Sequence, residues 1–426
     1  MNKADSERIR GLLESWGMGP AEDMESANTI VLNSCVVREK AENRVLSKMG
    51  NLKALKKERP DVSIIVTGCL VDGEAEDLQG QYPYVDAFFK AGQFSEIADW
   101  GLQKGFSVAA VPGSTCASSD STIAYVPIIE GCDNFCSYCI VPYRRGREKS
   151  RPFREIVAEV RGLAGRGVRE VTLVGQNVDS YGHDLPDRPD LAGLLSELNT
   201  IDGIRRLRFL TSHPKDMTAR LIETIPALDK VCEHINLPAQ SGNDEILKAM
   251  RRGYSAARYR ELIGEIRKAI PRVALSTDVI VGFPGETEDQ FLDTYNMIDE
   301  VRFDTVHVAA YSPRPGTLAA RSMKDDVPDK VKKLRLSIIE NLQTEISGEI
   351  NSALVGQVVE ILVEKQVAGK WMGRTRTGKL VFLKPEDYQT RPGADLRGEL
   401  VAIKITRASP WSMAGEPVTE AGCVTL

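Results

Sequence analysis

The chain of 426 residues has no long hydrophobic run. No stretch approaches the ~18 consecutive apolar residues that a membrane span needs. Its first residues, Met1-Asn-Lys-Ala-Asp-Ser-Glu, lack the basic-then-apolar order of a secretory signal. Cysteine is sparse, with eight in the whole chain. In a large chain without a signal, that number points to metal or redox chemistry rather than a disulfide framework. The expected setting is therefore a reducing cytoplasm, with no membrane partner. Strong charge of either sign is also missing. Lys and Arg number 55 against 60 Asp and Glu, a formal net charge of −5. Such a balance hides local basic patches and excludes no nucleic-acid partner. Hydrophobic residues at 42% and charged residues at 27% are ordinary for a soluble globular protein. The length corresponds to roughly two to four domains.

A further shortage lies inside the most informative segment, Gly131-Cys-Asp-Asn-Phe-Cys-Ser-Tyr-Cys-Ile140. Cys132, Cys136 and Cys139 follow a C-x3-C-x2-C spacing, one thiolate short of the four that close a structural zinc site or an ordinary cubane cluster. A 4Fe-4S cluster on three cysteines leaves one iron with an open coordination position. That iron can bind a small molecule and pass it an electron. Structural cysteines spaced by chance, or a zinc knuckle with a distant fourth ligand, are the bland alternatives. The flanks argue against both: an aromatic, Tyr138, precedes the last cysteine, and Ile140 to Arg147 is too basic and irregular for a packed core. The motif closely resembles that of the radical S-adenosylmethionine (SAM) enzymes. The resemblance implies that SAM chelates the open iron, that its C–S bond is cleaved reductively, and that Tyr138 lies near the adenine.

Periodicity divides the chain into three parts. Residues 1–115 read as a small α/β unit. It has a helix over Ser6–Trp16, strands at Thr29–Leu32 and Ser63–Thr67, a charged helix over Arg38–Glu58, and a third strand near Val85–Phe89. Cys35 and Cys69 follow the first two strands, at the carboxyl ends where open α/β sheets form their sites. Residues 112–122 read as a linker, and its Cys116 as a plain thiol. In the second part, 118–350, strands near 123–129, 170–174, 205–211, 231–237, 273–280 and 304–310 alternate with helices such as Arg154–Arg166 and Ala257–Ile270. Six β/α units imply a parallel sheet curled into a partial (β/α)6 barrel, with a full eight-unit barrel as the alternative. A polar helix over Asp329–Ser347 is expected to lead out of this domain. In the third part, 353–422, short β-rich runs between Gly and Pro turns suggest a small five-stranded β-barrel. Residues 353–426 hold ten Lys and Arg against eight Asp and Glu, so this is the basic end of the chain.

The stretch from Glu130 to Pro152 resembles the methylthiotransferase branch of the radical SAM enzymes. The resemblance continues through Leu173-Val-Gly-Gln-Asn-Val178, Thr211-Ser-His-Pro214, Leu237-Pro-Ala-Gln-Ser-Gly242 and Met250-Arg-Arg-Gly-Tyr254. It extends to Asp278-Val-Ile-Val-Gly-Phe-Pro-Gly-Glu-Thr287 and Tyr311-Ser-Pro-Arg-Pro-Gly-Thr317. It implies two 4Fe-4S clusters, one on Cys132, Cys136 and Cys139 and a second in the first domain, on Cys35 and Cys69. It implies sulfur and methyl insertion at C2 of N6-dimethylallyladenosine beside the anticodon of tRNA. A radical abstracts the C2 hydrogen, the second cluster supplies or carries the sulfur, and a second SAM gives the methyl group. Contacts to SAM are expected from Gly175, Gln176, Asn177, Ser212, Gln240 and Gly282. Glycine allows close backbone approach and amides donate and accept; a plain turn explains Gly175 or Gly282 equally well. His213 is read as a solvated loop residue without a ligand role. An electron donor such as flavodoxin or ferredoxin is implied, and the protein is expected to be a monomer.

The third part resembles a TRAM domain, a small RNA-binding barrel. Lys370, Trp371, Arg374 and Arg376 combine cations with an aromatic, as phosphate contact and base stacking require. Arg144, Arg145, Arg147, Lys149 and Arg151 form a second candidate RNA surface; their rival role is anchoring the loop through carboxylates.

One shortage breaks the family pattern. The first domain of the family carries three cysteines, and only Cys35 and Cys69 fit here. The missing one belongs to a Gly-Cys-Gln-Met-Asn segment, and Met1-Asn2 looks like its tail. The expectation is that the true start lies upstream. Asn236 stands where relatives often carry histidine. Rival activities are methylthiolation of threonylcarbamoyladenosine in tRNA or of a ribosomal-protein aspartate. A non-enzymatic iron–sulfur regulator that binds RNA is the rival from another class.

Overall fold

The buried strands alternate their side chains between two helical layers, and this period of two organises the first unit. The computed structural model describes residues 1–34, 39–71, 75–106, 121–384 and 395–418. Strands β1 (Thr29–Ser34), β2 (Ser63–Gly68) and β3 (Ala87–Lys90) pair in parallel in that order. Ile64, Val66 and Phe88 pack with Val45, Met49 and Leu52 of the helix Glu39–Glu58. Ile65 and Phe89, one residue on, face the other way. They pack with Ile9 and Leu12 of the helix Asn2–Ser15 and with Ile97 of the helix Phe94–Gln103.

Six parallel strands follow in chain order: β4 (Ile123–Pro127), β5 (Glu170–Val174), β6 (Arg206–Phe209), β7 (His234–Asn236), β8 (Ala274–Val281) and β9 (Thr305–Ala310). β4–β6 and β7–β9 each form a ladder. Backbone bonds from Cys232 to Leu207 (2.9 Å) and from Ser212 to Asn236 (3.1 Å) join the two. This is the partial barrel expected from six β/α units. Val171, Leu173, Leu207, Phe209, Ile235, Leu275 and Val279 point outward into the core beneath the helices. The alternate residues form a polar inner face, where Arg208 meets Glu170 at 3.0 Å and Asn236 donates to Ser276 and Asp278. Side-chain caps fix the helix starts. Asp190, Thr218 and Ser255 each accept a first-turn N–H, and Thr287 with Gln290 forms a capping box.

The helix over Asp329–Ser352 does not lead away from the domain. It lies on β9 and buries Ile339, Leu342 and Ile346 in the central core. Its inner face also carries buried polar groups, which is why it reads as polar. Arg335 pairs with Glu286 at 2.8 Å, and Gln343 donates to the carbonyls of Phe303 and Asp304.

The last unit is a closed barrel of β10 (Val358–Val367), β11 (Lys370–Thr375), β12 (Leu380–Leu383), β13 (Leu400–Ala408) and β14 (Met413–Pro417). It sits at the amino ends of the central strands. Arg206 and Arg208 of β6, both buried, donate to the carbonyls of Arg374, Thr375 and Arg376. Lys379 meets Asp304 at 2.6 Å, just before β9. The cysteine loop follows the carboxyl end of β4, so the two features occupy opposite ends of the partial barrel. Of the expected linker only Ser121 and Thr122 are described; Cys116 and Cys35 lie outside the described residues. No helix among the described residues is long and apolar enough to cross a membrane.

Candidate active site

Gly131 sets the path of the cysteine loop. Its φ is +76°, and a Cβ there would lie 2.0 Å from the carbonyl oxygen of Arg147. Only glycine fits this crossing. The loop is pinned by bonds from Cys132 N–H to Gly146 O (3.2 Å), Cys139 N–H to Cys136 O (3.0 Å) and Ser137 N–H to Met250 O (3.0 Å). Phe135, just before Cys136, takes a left-handed φ of 45°, a strained conformation of the kind that clusters at functional sites.

Burial, with the Cys136 and Cys132 sulfurs nearby, pushes the Cys139 thiol up to about 12. Burial also raises the Cys132 thiol. Ligands must be thiolates, so binding iron releases protons here. One compensating donor is already placed: buried Arg252 donates through Nη1 to Cys136 Sγ at 3.3 Å. Its other donors bind Tyr254 Oη (2.9 Å) and Pro238 O (3.0 Å). Among the described residues no three His, Cys, Asp or Glu side chains converge on one ion. The thiolates of a cubane bind separate irons and need no such convergence. An all-sulfur donor set with a guanidinium N–H on one sulfur suits an iron–sulfur cluster.

Around this loop the structure gathers several predicted residues. Tyr138 packs with Met250, Phe283 and Tyr311. Burial lifts its phenol well above the usual range, so it stays neutral. Gly175 ends β5 against Ile129, where a Cβ would lie 2.4 Å from a side-chain carbon. Asn177 donates to Asp216 at 2.7 Å, while its Oδ1 and Gln176 Oε1 are buried without partners. Gln240 holds a left-handed φ of 70° beside β8. Gly282 is committed to its turn: its N–H donates to Glu286 at 2.6 Å, and its α-carbon faces Lys332.

Ser212 brings in a residue that the sequence did not single out. Its hydroxyl donates to Asp179 at 3.0 Å, and the His213 N–H donates to the other carboxylate oxygen at 3.0 Å. Burial pushes Asp179 up to about 7. His213 was read as a loop residue, yet it is buried and stacks edge-on with Tyr254. Its Nδ1 accepts the Lys215 N–H, so the ring proton sits on Nε2, which has no partner. Burial, then Arg252 and Lys215, push it down to about 2, so the ring is neutral. Arg252 lies in the quoted Met250–Tyr254 block, but nothing there distinguishes it from exposed Arg251.

Cys69 is buried after β2. Gly68 before it has a φ of +95°, and a Cβ there would meet Ser34 O at 2.4 Å.

Five predicted RNA contacts are engaged within the protein. Trp371 is only 6% exposed and fills the core of the small barrel with Ile361, Val381 and Ile403. It reads as a surface aromatic because Lys370, Arg374 and Arg376 flank it in the chain. Arg376 is spent on Glu233 (2.7 Å) and the carbonyls of Asp229 and Val231, and Arg374 on Glu364 (3.1 Å), both near the docking seam. Arg145 is buried against Asp5. Arg151 takes the anchoring role through Glu159. Lys149, Lys370 and Arg147 are exposed, Arg147 lying over the Phe135 ring. Arg144 is half-buried. An aromatic that the sequence did not flag, Trp411, is 65% exposed.

Residues 126–298 match the Radical SAM superfamily, residues 1–90 the uncharacterized protein family UPF0004, and residues 352–418 the TRAM domain. A protein of Dehalococcoides mccartyi, named tRNA-2-methylthio-N(6)-dimethylallyladenosine synthase, is 49% identical over 98% of this chain and 96% of its own length. A protein of the same name from Chloroflexus aurantiacus is 47% identical over 98% of this chain and 89% of its own. In fold, a radical S-adenosylmethionine methyltransferase from Kitasatospora setae matches with a TM-score of 0.53 at 13% identity. That match covers 72% of this chain and 68% of the other.

Proposed function

Because the chain belongs to the family of tRNA-2-methylthio-N(6)-dimethylallyladenosine synthases, radical SAM enzymes with a TRAM domain, we propose that it inserts sulfur and a methyl group at C2 of N6-dimethylallyladenosine beside the anticodon of tRNA. The observation that carries the reading is the loop of Cys132, Cys136 and Cys139 at the carboxyl end of β4, with Arg252 donating to the Cys136 sulfur. These cysteines are assigned to a 4Fe-4S cluster that, when bound, supplies the electron for reductive cleavage of SAM.

The protein's own groups orient the substrates. Gln176 Oε1 and Asn177 Oδ1, buried acceptors without partners, suit the SAM amino group, because a buried acceptor left unpaired is costly. Gly175 lets the backbone approach. Tyr138 and Phe283 offer an apolar wall for the adenine. Ser212, held by Asp179, and Gln240 complete the contacts, and Gly282 shapes the turn beside them. Arg252 would donate a charge-assisted hydrogen bond to the Cys136 sulfur.

Cys69 and Cys35 are assigned as two of the thiolates of a second 4Fe-4S cluster, which needs a third and would supply or carry the inserted sulfur. The exposed cations Arg147, Lys149 and Lys370, with Arg144, are assigned to the tRNA backbone. The setting is cytoplasmic, with a monomer reduced by flavodoxin or ferredoxin.

The test is expression in a host that lacks its own tRNA methylthiotransferase, followed by mass spectrometry of tRNA nucleosides. The expected product is the methylthio group on dimethylallyladenosine. Methylthio on threonylcarbamoyladenosine instead would overturn the substrate assignment. Absence of 5′-deoxyadenosine from the reconstituted protein would overturn the enzyme reading.

A further inference from the structure

Tyr143 leaves its ring outside the packed protein. It is 47% exposed, although it stands only four residues after Cys139. It belongs to the short helix Val141–Arg145, whose Pro142 is buried. Arg145, two positions and about 200° further round the helix, turns inward and meets Asp5 at 2.8 Å. Tyr143 is thus carried on the outer side, at the rim of the cysteine loop.

The exposed ring is braced from behind. Phe135 meets it edge-on, with ring centroids 6.0 Å apart and planes at 88°. The Arg147 guanidinium covers the Phe135 ring at 4.8 Å from its centroid. Asp133 holds Arg147 at 3.3 Å. Asp133 is itself fixed: its carboxylate accepts the Glu148 N–H (3.2 Å), and its own N–H donates to the Glu148 carboxylate (3.3 Å). Asp133, Arg147, Phe135 and Tyr143 therefore form one row, and its last member faces solvent. Phe135 holds its place in the row at a left-handed φ of 45°. Such a conformation persists only where the surroundings over-determine it.

A single exposed ring needs no explanation by itself. The brace behind this one and the cations beside it do. Arg144, Arg147 and Lys149 follow Tyr143 within six residues. Proteins that bind single-stranded RNA combine such a basic surface for the backbone with rings on which bases stack. A reaction at a ring carbon of adenine also requires that base to leave the stack of its neighbours, and a neighbour left unstacked needs a new surface. We propose that Tyr143 is the stacking platform for an unpaired nucleobase next to the target adenine, with Phe135 and Arg147 fixing the angle of its ring. The inference rests on the reading of tRNA as the substrate. Arg147 braces through its plane and keeps its remaining N–H groups for a phosphate, so the two roles are compatible.

The experiment compares reconstituted wild-type protein with Tyr143→Ala, Tyr143→Phe and Lys149→Ala. Affinity for an RNA hairpin carrying dimethylallyladenosine in its loop is measured by fluorescence anisotropy across a salt series. Methylthiolation kinetics are measured on tRNA. Tyr143→Ala is expected to weaken binding by about 5- to 100-fold, to raise KM, and to leave the slope of log K against log salt unchanged, because that slope counts phosphate contacts. Lys149→Ala is expected to reduce the slope by about 0.7–0.9. Tyr143→Phe, which keeps the ring, is expected to bind as wild type. Wild-type affinity in Tyr143→Ala, or an equal loss in Tyr143→Phe, overturns the platform. A second test uses the unmutated protein. With 5-bromouridine at each other loop position in turn, irradiation is expected to cross-link Tyr143 from a position beside the target, and no cross-link to Tyr143 from any position overturns the proposal. If wild-type protein methylthiolates tRNA and Tyr143→Ala does so with the same KM, this proposal alone falls. If wild-type protein neither binds the hairpin nor modifies tRNA, the substrate reading falls and the platform falls with it.

Discussion

Gly131→Ala tests how tightly the loop geometry governs the radical site. Two costs arise. An L-residue at a φ of +76° sits in the left-handed region, roughly 1–2 kcal/mol above its usual state. The new Cβ would also lie 2.0 Å from the Arg147 carbonyl oxygen and 2.6 Å from that of Gly146. Both are backbone atoms and cannot swing away, so the loop must open, at the ~1–3 kcal/mol typical of overpacking. The sum is about 2–5 kcal/mol, concentrated beside Cys132, whose N–H bonds the Gly146 carbonyl. Gly146 supplies the control. Its φ is +77° with ψ −163°, a conformation that favours glycine at about 1–3 kcal/mol, but a Cβ there meets nothing within 4 Å, so Gly146→Ala carries a backbone cost without the clash. Displacing a reacting group by ~1 Å commonly costs 10²-fold in rate. Gly131→Ala is therefore expected to lower 5′-deoxyadenosine formation by about two orders of magnitude and to reduce retained iron. Gly146→Ala, which lacks the clash, should lose clearly less than Gly131→Ala in both 5′-deoxyadenosine formation and retained iron. Equal loss in the two variants, or none in Gly131→Ala, would refute the clash argument.

Cys136→Ala is expected to abolish SAM cleavage, since two thiolates do not hold the cluster; persistent turnover would remove the cysteine assignment. Trp371→Ala is expected to destabilise the small barrel by ~3–5 kcal/mol, whereas Trp411→Ala leaves unfolding unchanged. Denaturant titration of the two variants decides between core and surface roles. Asp179 titrates near 7 when folded and near ~3.9 when unfolded. The folded state therefore holds the extra proton between those values, and stability falls as pH rises through this window and levels above about 7. Asp179→Asn should flatten that slope, and an unchanged slope across pH 5 to 8 would count against the assignment.

Much of this molecule is legible along the chain. The period-two apolar runs at 123–127, 170–174 and 274–281 and the amphipathic helices between them identify six β/α units, because each side-chain set has one face to bury. The spacing of Cys132, Cys136 and Cys139 identifies the chemistry, because a short loop keeps near in space what is near in sequence. β11 was not legible as a strand. Trp371 between Lys370 and Arg374 looks like a surface cluster until pairing with β10 and β12 turns the ring inward. The helix Asp329–Ser352 was misjudged for a related reason. Its buried Arg335 and Gln343 find partners more than 35 residues away, beyond the reach of any local pattern.

What the sequence determined alone was the family, the three-part order and the loop of thiols, all carried by local spacing. What only the tertiary structure decided was the use of the charges. Arg145, Arg206, Arg208, Arg252 and Arg376 look alike as letters. Folding buries the first four, one on a carboxylate between units, two on barrel carbonyls, one on Cys136, and ties the fifth to Glu233. A guanidinium takes its role from the acceptors that surround it, and the fold assembles those from positions 14 to 168 residues away, from Pro238 for Arg252 to Arg374 for Arg206.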